Sequence, residues 1–346
     1  MAIVCPASYN GTVGDADWLN YITCGFPLTP SINSAWPPNG CPNPALPPAV
    51  STWPSANATS FPATIDSGYG PKLTTDQVYA ILSLVWVAEN SVSNYDGVIP
   101  WFNAYPYIQN IGDGRGYTTN IVGFCSGTGD LLDMLTNLQK LEPCNPLLEY
   151  VPDIAALSAA ESGNLTGLSG FAELVVQQGG GPTGTGPINP NYVEATWQTL
   201  MKPGSASGYW GNAMELSRKY HLSLPISKGQ LFDISLNAGT DIAVALAKNV
   251  SVKAPTRHQS GGEQEVKWLL ALQKAWIKYI IATPDIDDGQ TDRGILWQHL
   301  ANPKNKTLNT YGQIGALNKK PKLHLELPLS VNCYNHTLTI RAPKKK

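Results

Sequence analysis

Two carboxylates on very different backbones, Glu89 and Asp113, are the residues with which this chain of 346 could do acid–base chemistry. Asp113 lies in NIGDGRGYTTNIVGFCSGTGD (110–130), a stretch that holds six glycines, and two of these flank it. Glycine admits positive φ and the close approach of other groups. Such a run marks a tight turn or a loop that something must reach, although a lone GDG is most often a solvated turn. Glu89 stands where an apolar helical stripe would put its next hydrophobic residue. A carboxyl at the lip of an apolar surface tends to hold its proton, and one in a polar loop beside Arg115 tends to give it up. Opposed tendencies of this kind divide a carboxyl pair into general acid and general base, as glycoside hydrolysis requires. The bland alternative is a frayed helix end with Glu89 turned to water, since two acids this far apart occur in most proteins.

The elements that must position the pair are legible nearby. LTTDQVYAILSLVWVAENS carries a Thr74-x-x-Gln77 capping box and apolar residues at 78, 81, 82, 85 and 86, which predicts a helix with one buried face. Alternating aromatic and β-branched residues around the glycine turn predict a hairpin from about Tyr105 to Phe124. SGTGDLLDMLTNLQKL predicts a helix capped near Ser126 or Thr128, with Leu131, Leu135 and Leu138 inside. Asp130 falls in its first turn, where the helix dipole favours an anion. Further helices are expected over VEATWQTLMK, NAMELSRKY, FDISLNAGTDIAVALAKN and EQEVKWLLALQKAWIKYII, the last running through the core. The C-terminal KLHLELPLSVNCYNHTLTI predicts a hairpin turning near SVN.

Composition narrows the class. Net charge is −2, so nothing global points to nucleic acid, and no apolar run is long enough for a membrane span. Residues 1–73 hold twelve of the 28 prolines, three of the six cysteines, and Trp18, Trp36 and Trp53 without a sustained period. They are expected to form an irregular, disulfide-pinned segment ahead of a domain over 74–315 and a basic extension over 316–346. The N-terminus MAIVCPASYN has no signal-peptide character, but six Asn-X-Ser/Thr sequons and six cysteines favour a secreted, extracellular protein. The five histidines are scattered, no CxxC occurs, and the GGGPTGTGP loop lacks a phosphate-binding lysine, so neither metal nor cofactor is expected. Residues 76–135 hold six acids and one base, Arg115, which suits a cationic ligand.

In order along the chain, AENS (88–91), IGDGRGYT (111–118), GFCSGTGD (123–130) and LEPCNPLLEYVP (141–152) resemble the chitosanases of glycoside hydrolase family 46. SKGQLFD (227–233), a Gly-Gly-acid run at 261–263 and NTYG (309–312) are weaker echoes. The resemblance implies a mainly α (α+β, lysozyme-like) fold of two helical lobes with a small antiparallel sheet and a cleft between them. It implies an endo-acting, inverting hydrolase of β-1,4-linked glucosamine polymer, working as a monomer on chitosan without a cofactor. By position, Glu89 matches the general acid, Asp113 the general base and Thr118 the hydroxyl that helps hold the attacking water. Ser91, Tyr107, Arg115, Thr128 and Asp130 match residues that line sugar subsites, and Asp233 matches a charge behind the acid.

Inversion requires carboxyls about 6.5–9.5 Å apart, with a water between one of them and the sugar. Arg257 and Lys274 are the candidates for the cation behind the acid, and Cys125 for a buried free thiol. Gln109 and Asn110 are neutral where the family carries acids. The longer SNYDGVIPWFNA segment brings Trp101 and Phe102, expected to pack rather than stack on sugar. Two alternatives remain: a lysozyme-like hydrolase of peptidoglycan or partly acetylated chitin, and an inactive sugar-binding protein.

Overall fold

The computed structural model describes residues 63–90, 101–181, 187–283, 291–304, 315–333 and 336–342. Along the chain, α1 (Thr75–Asn90) is followed by β1 (Ile108–Asn110), β2 (Tyr117–Thr119), β3 (Phe124–Cys125), α2 (Asp130–Leu141) and α3 (Val151–Ala159). Then come α4 (Phe171–Gln178), α5 (Pro190–Leu200), α6 (Tyr209–Lys219), α7 (Pro225–Ala238) and α8 (Thr240–Lys248). The chain continues through α9 (Glu263–Ile281), α10 (Thr291–Ala301), β4 (Gly315–Ala316), β5 (Leu329–Cys333) and β6 (His336–Ile340). The molecule is therefore mainly helical with two small antiparallel sheets, β1-β2-β3 and β4-β5-β6. Among the described residues no helix is long and apolar enough to cross a membrane.

Two compact units result, one within Phe102–Leu200 and the other within Phe61–Trp101 and Met201–Lys346. In the first, α2 packs on α5. Leu131, Met134, Leu135 and Leu138 are buried, so the leucine stripe lies inside as its spacing predicts. The cap differs from expectation: Gly129, at φ 90°, occupies the N-cap position without a side-chain bond. Buried polar side chains lock the rest of this unit. Trp197 Nε1 donates to Tyr105 Oη at 2.8 Å, and Asn120 Nδ2 to Thr196 Oγ1 at 2.7 Å.

In the second unit, α1 begins with the expected capping box. Thr74 N donates to Gln77 Oε1 at 2.8 Å, and Gln77 N to Thr74 Oγ1 at 3.2 Å. Such a cap stabilises a helix start by about 1 kcal/mol. Val78, Ile81, Leu82 and Val85 lie in the core below it. Trp101 is buried against Tyr79, with ring centroids 5.5 Å apart, so it packs as expected.

Burial of the long helices departs from the sequence expectation. The helix expected to run through the core, α9, is amphipathic: Glu265, Trp268, Leu269, Leu272, Gln273, Trp276 and Ile280 lie inside, while Ile281 at its end is 58% exposed. The helix enclosed on all sides is α7, where every residue from Pro225 to Ser235 is buried, including Lys228, Gln230 and Asp233. The run expected as one helix, FDISLNAGTDIAVALAKN, is two, because Gly239 at φ 93° ends α7 and admits a turn before α8. The C-terminal hairpin is present, but SVN lies inside β5, which pairs with β6 from Leu329↔Ile340 to Cys333↔His336.

Candidate active site

Glu89 is in the last turn of α1, and its side chain is 35% exposed. Its Oε1 accepts from Arg293 Nη2 at 2.5 Å. Arg293, on α10, is itself only 1% exposed, and its Nε donates to Asp233 Oδ1 at 2.8 Å. One guanidinium thus joins the end of α1 to the middle of α7, using a rigid fork suited to two carboxylates. Burial pushes the Asp233 carboxyl up to about 6 against the pull of Arg293, with Glu89 adding to the rise and the neighbouring Trp297 indole opposing it. Burial alone would lower the Arg293 pKa, but Asp233 and Glu89 together raise it, so the cation is permanent.

The cation behind Glu89 is therefore Arg293. Arg257 and Lys274, the sequence candidates, occupy a short 3-10 turn and an exposed position on α9. The available signal was local: an arginine four residues before a tryptophan in the apolar RGILWQHL, with Ile295, Leu296 and Trp297 all buried. In a chain so poor in charge, an arginine on such a helix must find acids inside.

The second constellation is built by the β1–β3 sheet. Gly112, Gly114 and Gly116 all have positive φ, between 75° and 81°, which answers why Asp113 sits on so permissive a backbone. The carboxylate folds over its own turn: Oδ1 accepts Arg115 N at 3.0 Å, and Oδ2 accepts Arg115 Nε at 2.7 Å and Nη2 at 2.5 Å. Gly163 lets a second segment lie against this loop, since a Cβ there would stand 2.3 Å from the Gly114 carbonyl oxygen. Asp113 and Arg115 both remain exposed.

Thr118 is central in β2, paired with Gln109 on one side and Cys125 on the other. Its neighbours Tyr117 and Thr119 are buried and it is half-exposed, as strand alternation requires. Thr118 Oγ1 lies 3.5 Å from Cys125 Sγ, a buried free thiol as expected, which also donates to the Gly123 carbonyl at 3.3 Å. Burial pushes the Cys125 pKa up, and the charge of Asp130 adds to this. Tyr107 donates its hydroxyl to Gln109 Oε1 at 3.1 Å.

Asp130 Oδ1 accepts Cys125 N at 2.9 Å, Thr128 Oγ1 at 2.7 Å and Leu131 N at 3.0 Å, so it holds the GFCSGTGD turn together. Burial raises its pKa and these three donors oppose the rise. The sheet thus gathers Tyr107, Asp113, Arg115, Thr118, Thr128 and Asp130 in one unit, while Glu89, Asp233 and Arg293 form a triad in the other. Ser91 lies outside the described residues. Among the described residues there is no group of three or more His, Cys, Asp or Glu that could hold a metal ion.

Residues 83–310 match the sequence profile of Glycosyl hydrolase family 46. The chain belongs to that family. Both constellations fall inside the matched stretch. A chitosanase of Nocardioides sp. (strain N106) is 44% identical over 81 residues, covering 23% of this chain and 27% of that protein. A chitosanase of Bacillus subtilis (strain 168) is 26% identical over 178 residues, or 48% of this chain and 56% of that protein. The chain thus spans between about a quarter and about half of these relatives. Two solved structures are similar in fold. One is native chitosanase from Bacillus subtilis MY002, with TM-score 0.58 and 22% identity over 78% of this chain and 100% of that one. The other is a Gynuella sunshinyii chitosanase complexed with chitotetraose, with TM-score 0.60 and 20% identity at the same coverage.

Proposed function

We propose that this family 46 protein is a secreted endo-chitosanase that hydrolyses β-1,4-linked glucosamine polymer with inversion. The observation that carries the reading is the Arg293 fork. It ties a partly exposed carboxyl, Glu89, to a fully buried one, Asp233, at the family position of the acid. In this reading Glu89 protonates the glycosidic oxygen as the bond to the leaving sugar breaks. Asp113 takes a proton from water attacking the opposite face of the ring, and the Thr118 hydroxyl orients that water. Arg115, which donates its backbone N–H to Asp113 Oδ1 and its guanidinium to Oδ2, holds the base in place. Tyr107, Arg115, Thr128, Asp130 and Ser91 line the sugar subsites.

The substrate follows from charge. Glucosamine ammonium groups favour a surface rich in acids and poor in bases, and 76–135 has six acids against Arg115. Complexes of similar chitosanases with glucosamine hexamer and chitotetraose support the same class of ligand. Secretion and a monomeric state belong to the same proposal.

The deciding experiment is NMR of the products from fully deacetylated glucosamine hexamer. Initial release of α-anomers from the β-linked substrate is expected. Release of β-anomers overturns inversion. Cleavage of acetylated polymers alone overturns the substrate and favours the lysozyme-like alternative.

A further inference from the structure

Away from the Glu89–Arg293–Asp233 triad, the second unit contains another fully buried ion pair. Lys228 on α7 is 0% exposed and Asp66, in the segment leading to α1, is 1% exposed, with Lys228 Nζ donating to Asp66 Oδ2 at 2.7 Å. Lys228 also donates to the Pro71 carbonyl at 3.1 Å. Asp66 accepts Gly68 N and Leu73 N, each at 2.7 Å, and its carbonyl accepts from Lys72 Nζ. The segment Ile65–Leu73 is further held by three bonds: Trp210 Nε1 donates to the Ile65 carbonyl, Tyr69 N donates to Ser217 Oγ, and Arg218 Nη1 donates to the Ser67 carbonyl. Two residues beyond Leu73, α1 begins, and it runs unbroken to Glu89.

These contacts line up along the α1–α7 pair. Lys228 meets the entrance of α1. Next to it Gly229 lies against the middle of α1: a Cβ there would stand 3.0 Å from Ile81 Cγ1 and 2.7 Å from Trp297. Five residues past Lys228, Asp233 reaches Glu89 through Arg293. Because Arg293 holds a carboxyl on each helix, a shift of α1 along α7 would change the distance between the two ends of the fork. Resting on Glu89 as the acid, we propose that the Asp66–Lys228 pair is a positioning pair, setting the register of α1 against α7 and so the placement of Glu89. A lysine in place of an apolar residue is costly inside a protein, and burial lowers its pKa even beside Asp66. What it supplies is direction: only one alignment of the entrance segment satisfies it.

The test compares Lys228→Met, Asp66→Asn and Glu89→Gln in the full chain, on glucosamine hexamer. In folded Lys228→Met, turnover is expected to fall about tenfold or more, as for sub-ångström misplacement of a reacting group. Hexamer affinity should stay within about threefold, and the alkaline limb of the pH–rate profile should move by about half a unit or more. A merely structural role lowers the rate equally at every pH, and that outcome, like turnover within about twofold of the parent, overturns the proposal. If Lys228→Met does not fold, Asp66→Asn decides by the same criteria. It keeps the shape, and Lys228 can lose its proton while staying bonded to Pro71. Unchanged turnover in Glu89→Gln removes the acid assignment and the positioning proposal with it. An inactive Glu89→Gln beside an unchanged Lys228→Met sinks the pair alone.

Discussion

Arg293 Nη2 and Glu89 Oε1 stand 2.5 Å apart, and the arginine is buried while the glutamate faces partly outward. A cation withheld from solvent beside a half-exposed carboxyl acts as a fixed field on whatever the carboxyl meets, because burial prevents water from screening it. Asp233 anchors the other side of the fork, so Glu89 has little freedom to swing away.

Glu89→Gln keeps the side chain's shape but has no proton to give. Turnover on glucosamine hexamer is expected to fall at least about a thousandfold, near the upper range for losing a general acid, with oligomer affinity nearly unchanged. Calorimetric binding paired with a reducing-end assay checks both. A rate within tenfold of the parent rejects Glu89 as the acid.

Arg293→Ala leaves Asp233 buried without its cation. Breaking such a pair is expected to cost about 3–5 kcal/mol of stability. Arg293→Lys should be costly too, since one ammonium cannot reproduce the two-sided fork. Urea midpoints measure this, and a loss below about 1 kcal/mol would mean that Asp233 finds another donor.

Asp233 makes a prediction about pH. Its folded pKa is raised to about 6 by burial, so between the ordinary carboxylate value and about 6 the folded state binds the extra proton. Stability contributed through this group therefore declines as pH rises through that window and is level above it. The melting temperature of the parent minus that of Asp233→Asn should shrink from pH 4 to about 6. A difference that grows over that range contradicts the raised pKa.

Gly163→Ala would set a methyl carbon 2.3 Å from the Gly114 carbonyl oxygen and push the Asp113 loop aside. A stability loss of about 1–3 kcal/mol is expected, with a fall in turnover. Gly112→Ala is the control, having open space but φ +75°. It should cost about 1–2 kcal/mol from backbone strain alone. Equal turnover in Gly163→Ala and the parent would show that the loop tolerates displacement.

Hexamer binding should weaken as salt is added, because exposed charges are screened beyond about 8–10 Å at ordinary ionic strength. Asp130→Asn should lower both the affinity and its salt dependence. An affinity unmoved by salt points to stacking and hydrogen bonding instead of acid–ammonium attraction.

What the sequence by itself determined is local. The Thr74–Gln77 box, the start of α1, the inward leucines of α2 and the glycine turn around Asp113 depend on neighbours within a few residues, and spacing exposes them. The order of AENS, IGDGRGYT and GFCSGTGD was enough to suggest the family. The tertiary structure decided which charges meet. Nothing in the spacing joins Glu89 to Arg293 across 204 positions, or Asp66 to Lys228 across 162. Nor does it tell that α7, which carries Lys228, Gln230 and Asp233, is enclosed while α9 keeps one face in water. The reason is that burial of a charge depends on its distant partner, and only packing brings that partner within reach.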